Sequence, residues 1–186
     1  MRTVPKPNRH PPKSERAYIG IDNGVSGSIG IILKGADSFL SIFFIPMPTK
    51  KEQNYTKAKR NITRVDTPRL WRILWDIFPP ESAIQVHVMM ERPMVNPTRF
   101  QATASALRAL EATLCVVEGL KYSYSYIDSK EWQKVLLPKG TKGPPALKKA
   151  SMDIGCRLFP ACREVIVKHK DADGLLIAEH CRRTMR

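Results

Sequence analysis

Residues 18–32, Tyr18-Ile19-Gly20-Ile21-Asp22-Asn23-Gly24-Val25-Ser26-Gly27-Ser28-Ile29-Gly30-Ile31-Ile32, constrain the fold more than any other stretch. Two isoleucine-rich runs, Tyr18 to Ile21 and Ile29 to Leu33, flank a Gly/Ser/Asn turn, which is the pattern of a buried two-stranded hairpin. One carboxylate, Asp22, stands where the first strand ends. Burying it unpaired is costly, so it is hydrogen-bonded in the turn, ion-paired, or turned towards a cation. Turn capping alone also accounts for an aspartate at this place. The rest of the chain has to decide between these readings.

The turn Lys34-Gly35-Ala36 leads into a third apolar strand, Asp37 to Pro46, so three consecutive antiparallel strands are expected. Residues 48–64 carry Lys50, Lys51, Lys57, Lys59, Arg60 and Arg64 around Tyr55 with little hydrophobic patterning, and read as an exposed basic loop able to contact a nucleic-acid backbone. Asp66-Thr67-Pro68 starts a helix in which Leu70, Ile73, Leu74 and Ile77 recur until Pro79-Pro80, with Trp71 and Trp75 flanking the stripe as packing residues. Ile84 to Glu91 is a strand that again ends in a carboxylate before a break, Arg92-Pro93, and His87 within it reads as structural. In open α/β sheets, sites are built at such strand ends.

A long helix is expected over Thr98 to Gly119, with Leu107, Leu110, Leu114 and Val117 on one stripe, small alanines on its other faces and Gly119 as its C-cap. The alternating strand Tyr122 to Ile127 follows, then a short helix opened by Asp128, a basic Gly/Pro loop over 137–145 and a helix from Ala146 to Leu158. Lys168-His169-Lys170 reads as part of a loop feeding a terminal helix. That helix opens at Asp173, which shares a face with Leu176, Ile177 and His180.

The net charge of +14, from 31 Lys/Arg against 17 Asp/Glu, attracts polyanions, and nucleic acid is the leading partner. Residues 1–16 combine four prolines, five Lys/Arg and one acid, and are expected to be a disordered basic arm ahead of a single domain over 17–186. No apolar run approaches the roughly 20 residues of a membrane span, and the first residues lack the apolar core of a signal peptide. Cys115, Cys156, Cys162 and Cys181 have no C-x-x-C spacing; they read as reduced thiols, Cys115 and Cys181 packed on helix faces, in a cytoplasmic protein.

Asp22, Glu91 and Asp173 thus stand at a strand end, a strand end and a helix start. They converge only if the first strand neighbours the one ending at Glu91 and the last helix crosses their ends. Convergence raises their pKa values by repulsion unless divalent cations lie between them. Hard oxygen ligands suit Mg²⁺ or Mn²⁺, and two such ions about 4 Å apart support phosphodiester cleavage. A basic chain with one acidic pocket is what a metal-dependent nuclease should look like.

The element order and the motifs IGIDNGVSG, MMERP and HKDADGLLIAEH resemble the ribonuclease H-like fold, and more closely the RuvC-type Holliday junction resolvases. SKEWQKVLL, LKKAS and RLFP are similar to stretches of phage and plant-organelle members, and the resemblance covers about residues 17–184. It implies an α/β fold whose five-stranded mixed sheet has three antiparallel strands followed by parallel ones, flanked by helices. It implies Asp22, Glu91 and Asp173 as catalytic acids holding two Mg²⁺ or Mn²⁺ ions. The family's fourth ligand falls on Lys170, which cannot serve, or on His169, with Asp171 as the competing choice. Phe100 is either the aromatic wedge that family members place after the glutamate or a core residue of the long helix. Arg92, Arg99, Lys130, Lys139, Lys142, Lys148 and Lys149 would hold the DNA arms.

The implied partner is four-way junction DNA, cut symmetrically by a homodimer with the long helix at its interface; neither a membrane nor a small-molecule substrate is expected. The nucleoid, a host cytoplasm or an organelle would be its place. A non-catalytic nucleic-acid-binding protein on the same fold, and a related nuclease for other branched DNA or RNA, are the competing readings. The Asp22 turn also resembles the first phosphate loop of actin-like ATPases, but 186 residues leave no room for their second domain.

Overall fold

The structure, a computed structural model, describes residues 15–35, 40–54, 57, 60–79 and 81–185. Residues 1–14 of the expected arm, Asp37, Tyr55 and Lys59 lie outside these.

The isoleucine-rich hairpin forms as its pattern requires: β1 (Arg16–Ile21) pairs antiparallel with β2 (Ser28–Lys34), which pairs antiparallel with β3 (Leu40–Pro46). Beyond the third strand the chain departs from expectation. The predicted basic loop is a separate antiparallel ribbon, β4 (Thr49–Gln53) with β5 (Asn61–Val65). Lys50 and Arg64 stand directly opposite one another in it, a repulsive pairing. Glu52 neutralises them, accepting from Lys50 Nζ at 2.5 Å and Arg64 Nη1 at 2.6 Å.

After α1 (Thr67–Ile77), β6 (Gln85–Glu91) lies parallel to β1, and β7 (Ser123–Ile127) lies parallel to β6. The main sheet has the order β3-β2-β1-β6-β7, three antiparallel strands followed by parallel ones, in an α/β fold of ribonuclease H-like type. Ile21 pairs with Met90, so the next residues, Asp22 and Glu91, leave adjacent strands at the same level. His87 within β6 has both ring nitrogens 2.9 Å from serine hydroxyls of β7, Ser123 and Ser125.

One sheet face is covered by α1 and α2 (Phe100–Gly119). Asp66 caps α1 through the Arg69 N–H at 3.3 Å, and Leu70 and Leu74 are buried. Trp71 and Trp75 stack with centroids 6.4 Å apart. The stripe expected on α2 is met at its C-terminal end, where Val117 is buried and Leu114 packs on the core, but not at its start: Ala109, Thr113 and Val116 are buried there and beyond, whereas Leu107 is 41% exposed. Ala109 and Thr113 thus fill positions in the core, and Leu107 lies outside it. Gly119 is not the C-cap either, since Lys121 takes the left-handed conformation with φ 57°. A Cβ at Gly119 would lie 2.4 Å from the Trp71 ring, so its absence makes room for that indole. Cys115, expected on a packed face, is exposed.

The other face carries α3 (Ser129–Leu136), opened by a reciprocal Asp128–Glu131 capping box, then α4 (Pro144–Leu158), α5 (Arg163–His169) and α6 (Asp173–Thr184). The seven-residue α5 was not anticipated, and its last two residues, Lys168 and His169, were read as part of the loop before the terminal helix. Only Ile166 is buried in it, so it is too short and too exposed for helical periodicity to register. Lys170 then closes it with φ 74°.

Three glycines let α6 lie backbone to backbone on the sheet. A Cβ on Gly20 would stand 2.2 Å from both Ala178 N and Gly174 O, one on Gly30 2.4 Å from Leu175 Cα, and one on Gly174 2.7 Å from Ser28 O. Among the described residues no helix is long and apolar enough to cross a membrane.

Candidate metal centre

Asp22 follows β1, Glu91 ends β6 and Asp173 opens α6, so sheet register and the glycine contact bring the chain's three marked acids to one end of the sheet. Asp171, two residues before α6, joins them. Ligand oxygens of Asp22, Asp171 and Asp173 all lie within 4.8 Å of one another, and Asp171 is 2% exposed. Asp171 lies ahead of the helix and so escapes the helical phase that would have turned it away. Glu91 is near enough that its charge acts on both Asp22 and Asp173.

The electrostatics are those of a pocket short of positive charge. Burial, followed by the charges of Asp173, Glu91 and Asp171, pushes the Asp22 carboxyl well above its usual range. Burial likewise raises Asp173 to about 7, against the lowering effect of a hydrogen bond from Ser151. Lys148, though 60% exposed, reaches Asp171 with Nζ 3.5 Å from Oδ2 and is the cation that partly offsets both shifts. His169 lies next to Asp171, its Nε2 3.4 Å from Oδ1 without hydrogen-bond geometry, and packs edge-on against Phe44. Of the two candidates for a fourth ligand, the fold therefore places Asp171 among the acids and His169 beside it.

Four residues that the sequence reading gave no role hold this arrangement. Trp132, fully buried on α3, donates its indole N–H to Glu91 Oε2 at 2.9 Å. Ser151 on α4 donates to Asp173 Oδ1 and accepts from the Ala172 N–H at 3.1 Å. Ser28 Oγ accepts from the Gly174 N–H at 3.1 Å, satisfying a helix N-terminus whose own cap position is the alanine Ala172. Asn23 donates to the Glu91 carbonyl at 2.8 Å, tying the two strand exits together. Trp132 and Ser151 lie inside the SKEWQKVLL and LKKAS stretches, so the family resemblance was the only signal for them.

The residues expected to hold DNA are all exposed. Phe100 is not a core residue: it is 78% exposed at the start of α2, and Met94 and Val95 in the segment before it are exposed as well. Arg99 is exposed just before it. Arg92 is held by Asp128 at 2.8 Å and lies 5.7 Å over the Tyr126 ring. Lys130 and Lys139 line one crevice and Lys139, Lys142 and Lys149 another, on either side of a loop turned by Gly140 and Gly143 at φ 85° and 83°.

An oxygen-only donor set, desolvated carboxylates that repel one another, and a buried Asp171 Oδ1 without a hydrogen-bond donor together fit a hard divalent cation. The raised Asp173 pKa also has a consequence for stability without metal. A folded-state pKa of about 7 above an unfolded value near 3.8 means that this group's contribution is complete below the lower value and is lost as pH rises through the higher one. In EDTA, Asp173→Asn is therefore expected to melt above the parent at pH 8 and together with it near pH 4. Scanning fluorimetry at the two pH values checks this, and a variant that melts below the parent at pH 8 would contradict it.

No family model and no curated protein matches the sequence. Solved structures do match. RuvC of Thermus thermophilus in complex with a Holliday junction substrate aligns at 11% identity over 91% of this chain and 96% of its own, with a TM-score of 0.51. A second Thermus thermophilus RuvC structure aligns at 13% identity with the same coverage and TM-score. The yeast mitochondrial Holliday junction resolvase Ydc2 aligns at 16% identity over 92% of this chain and 79% of its own, with a TM-score of 0.49. The chain has the RuvC-type variant of the ribonuclease H-like fold.

Proposed function

We propose that this chain is a RuvC-type Holliday junction resolvase, a metal-dependent endodeoxyribonuclease that cuts four-way DNA junctions symmetrically in recombination and repair. The observation that carries the reading is the convergence of Asp22, Glu91, Asp171 and Asp173 at one sheet end of a chain with net charge +14. The structural likeness to a RuvC solved with a Holliday junction substrate supports the choice of DNA.

The four acids would hold two Mg²⁺ or Mn²⁺ ions, with Asp171 as the fourth ligand and His169 at its side. When bound, such ions supply a nucleophile from water and stabilise charge on the leaving oxygen. Trp132 and Ser151 fix the carboxylates of Glu91 and Asp173, so that little reorganisation is needed when charge develops. The Lys148 ammonium at the pocket's edge attracts the incoming phosphate. Phe100, with Met94 and Val95, offers an apolar ledge against the bases at the junction centre. Arg99, Lys130, Lys139, Lys142 and Lys149 contact arm phosphates, and Arg92 does so from its place on Tyr126. A junction has two-fold symmetry, so two copies pair about a two-fold axis through α2, whose Leu107 side is exposed.

The test is incubation of the purified protein with a synthetic four-way junction or a linear duplex, in Mg²⁺, Mn²⁺ or EDTA. Paired nicks at symmetric positions, on the junction alone and with metal alone, are expected. Tight junction binding without cutting under either metal would leave a non-catalytic binding protein; equal cutting of the duplex would remove the junction selectivity.

A further inference from the structure

The β4–β5 ribbon lies outside the main sheet and outside the acid pocket, and the mechanism above makes no use of it. Its roots are nevertheless tied to the turn that carries Asp22. The Met47 N–H donates to the Gly27 carbonyl at 2.9 Å, and the Asp66 N–H donates to the Pro48 carbonyl at 2.8 Å, so both strands emanate from the site end of the sheet. Val25 of that turn shares a small crevice with Thr63, Arg64 and Val65 of β5 and with Ser105 and Ala109 of α2.

The ribbon's charge is unusual for an element of its size. Residues 49–64 hold six Lys/Arg and one acid, Glu52. That acid is already committed to Lys50 and Arg64. Lys51 and Arg60 are exposed, and among the described residues no ion pair holds either of them. An isolated two-stranded ribbon is only marginally stable in water, and concentrating like charge on it weakens it further. Strands of five residues reach about 17 Å at roughly 3.3 Å per residue, long enough to follow a duplex arm for about five base pairs.

We propose that the β4–β5 ribbon is a phosphate-contacting arm that grips the DNA duplex entering the acid pocket, with Lys51 and Arg60 as its principal contacts. The proposal rests on the nuclease reading. It adds a binding element beside the Asp22 turn, on the opposite side of the sheet's end from the α3–α4 lysines. Glu52 keeps the ribbon folded before DNA arrives, by cancelling the one pair of cations forced face to face.

The test compares two double variants of the full chain, both in an Asp22→Asn background so that the DNA stays intact. One is Lys51→Ala with Arg60→Ala. The other removes equal charge at the far end of the sheet, Arg16→Ala with Lys34→Ala, which pair across β1 and β2. Fluorescence anisotropy with a labelled junction is read over a salt series. The ribbon variant is expected to bind about tenfold more weakly than its parent at 0.1 M salt, with a salt slope lower by about 2, because each lost phosphate contact removes about 0.9. The far-end variant is expected to stay near the parent. Ribbon and far-end variants that weaken alike would overturn the arm while leaving the junction reading in place. A parent that fails to bind junction DNA at all would overturn both. Matching melting curves for the two variants establish that a weaker complex reflects lost contacts rather than lost fold.

Discussion

Asp22→Asn is expected to lower the single-turnover rate of metal-dependent junction cleavage by about 10³-fold, the order of loss seen when one group that stabilises transition-state charge is removed. Asp22 is the best placed of the acids for so large an effect. Its ligand oxygen lies within 4.8 Å of those of both Asp171 and Asp173, and three neighbouring acids oppose its ionisation. Such a carboxylate is held charged only by a cation, so its neutral isostere weakens the site for metal. The fold should survive the change. The turn is fastened by backbone groups, the Asp22 N–H on the Ser28 carbonyl at 3.0 Å, and an amide of the same shape relieves the repulsion. The variant should therefore melt no lower than the parent in EDTA and still bind the junction. Cleavage within threefold of the parent, under saturating metal, would remove Asp22 from the catalytic set.

The second large effect is structural. Gly20→Ala adds one methyl group at a position where it would sit 2.2 Å from two backbone atoms of α6 and 2.8 Å from a third, the Ile177 carbonyl carbon. Backbone on both sides leaves no flexible side chain to yield, so the helix must lift or the strand must bend. A cost of about 3 kcal/mol or more is expected, which for a chain of this length lowers Tm by roughly 10 °C. Lifting α6 also moves Asp173 away from Asp22, so molecules that remain folded should cut poorly. Gly24→Ala is the control in the same segment: its added carbon would meet nothing nearer than 3.9 Å, and a change within about 0.5 kcal/mol is expected. If Gly20→Ala melts with the parent, α6 does not rest directly on the strand.

These two positions also mark what could be read from the chain without coordinates. Asp22 and Glu91 were legible because each terminates an apolar strand, and parallel pairing of those strands is enough to set the acids side by side. Asp173 was legible because a helix face rich in Leu and Ile has to meet the sheet. The part played by Gly20, Gly30 and Gly174 was not legible, since closeness of two backbones leaves no trace in hydrophobic pattern. The buried face of α2 was read only in part: Val117 belongs to it, but so do the small Ala109 and Thr113, whereas Leu107 is large and outside. The β4–β5 ribbon was hidden by its own composition, because lysine is a poor strand former and the two apolar residues of β5, Ile62 and Val65, fall on opposite faces and leave no alternation to read. Ser151 and Trp132 act on the acids across 22 and 41 residues of sequence, a relation that only the folded chain expresses.

The hydroxyl of Ser28 that receives the Gly174 N–H spans 146 residues of sequence. Synthesis runs from the amino end, so the first hairpin leaves the ribosome long before the helix whose end it completes. Until that late segment arrives, a nascent polypeptide has Asp22 and Glu91 but neither Asp171 nor Asp173, and half a cation cage. Under the nuclease reading proposed above, a chain made only that far lacks two of the four acids and cannot yet cut nucleic acid, even while it is still attached to a ribosome and its messenger RNA.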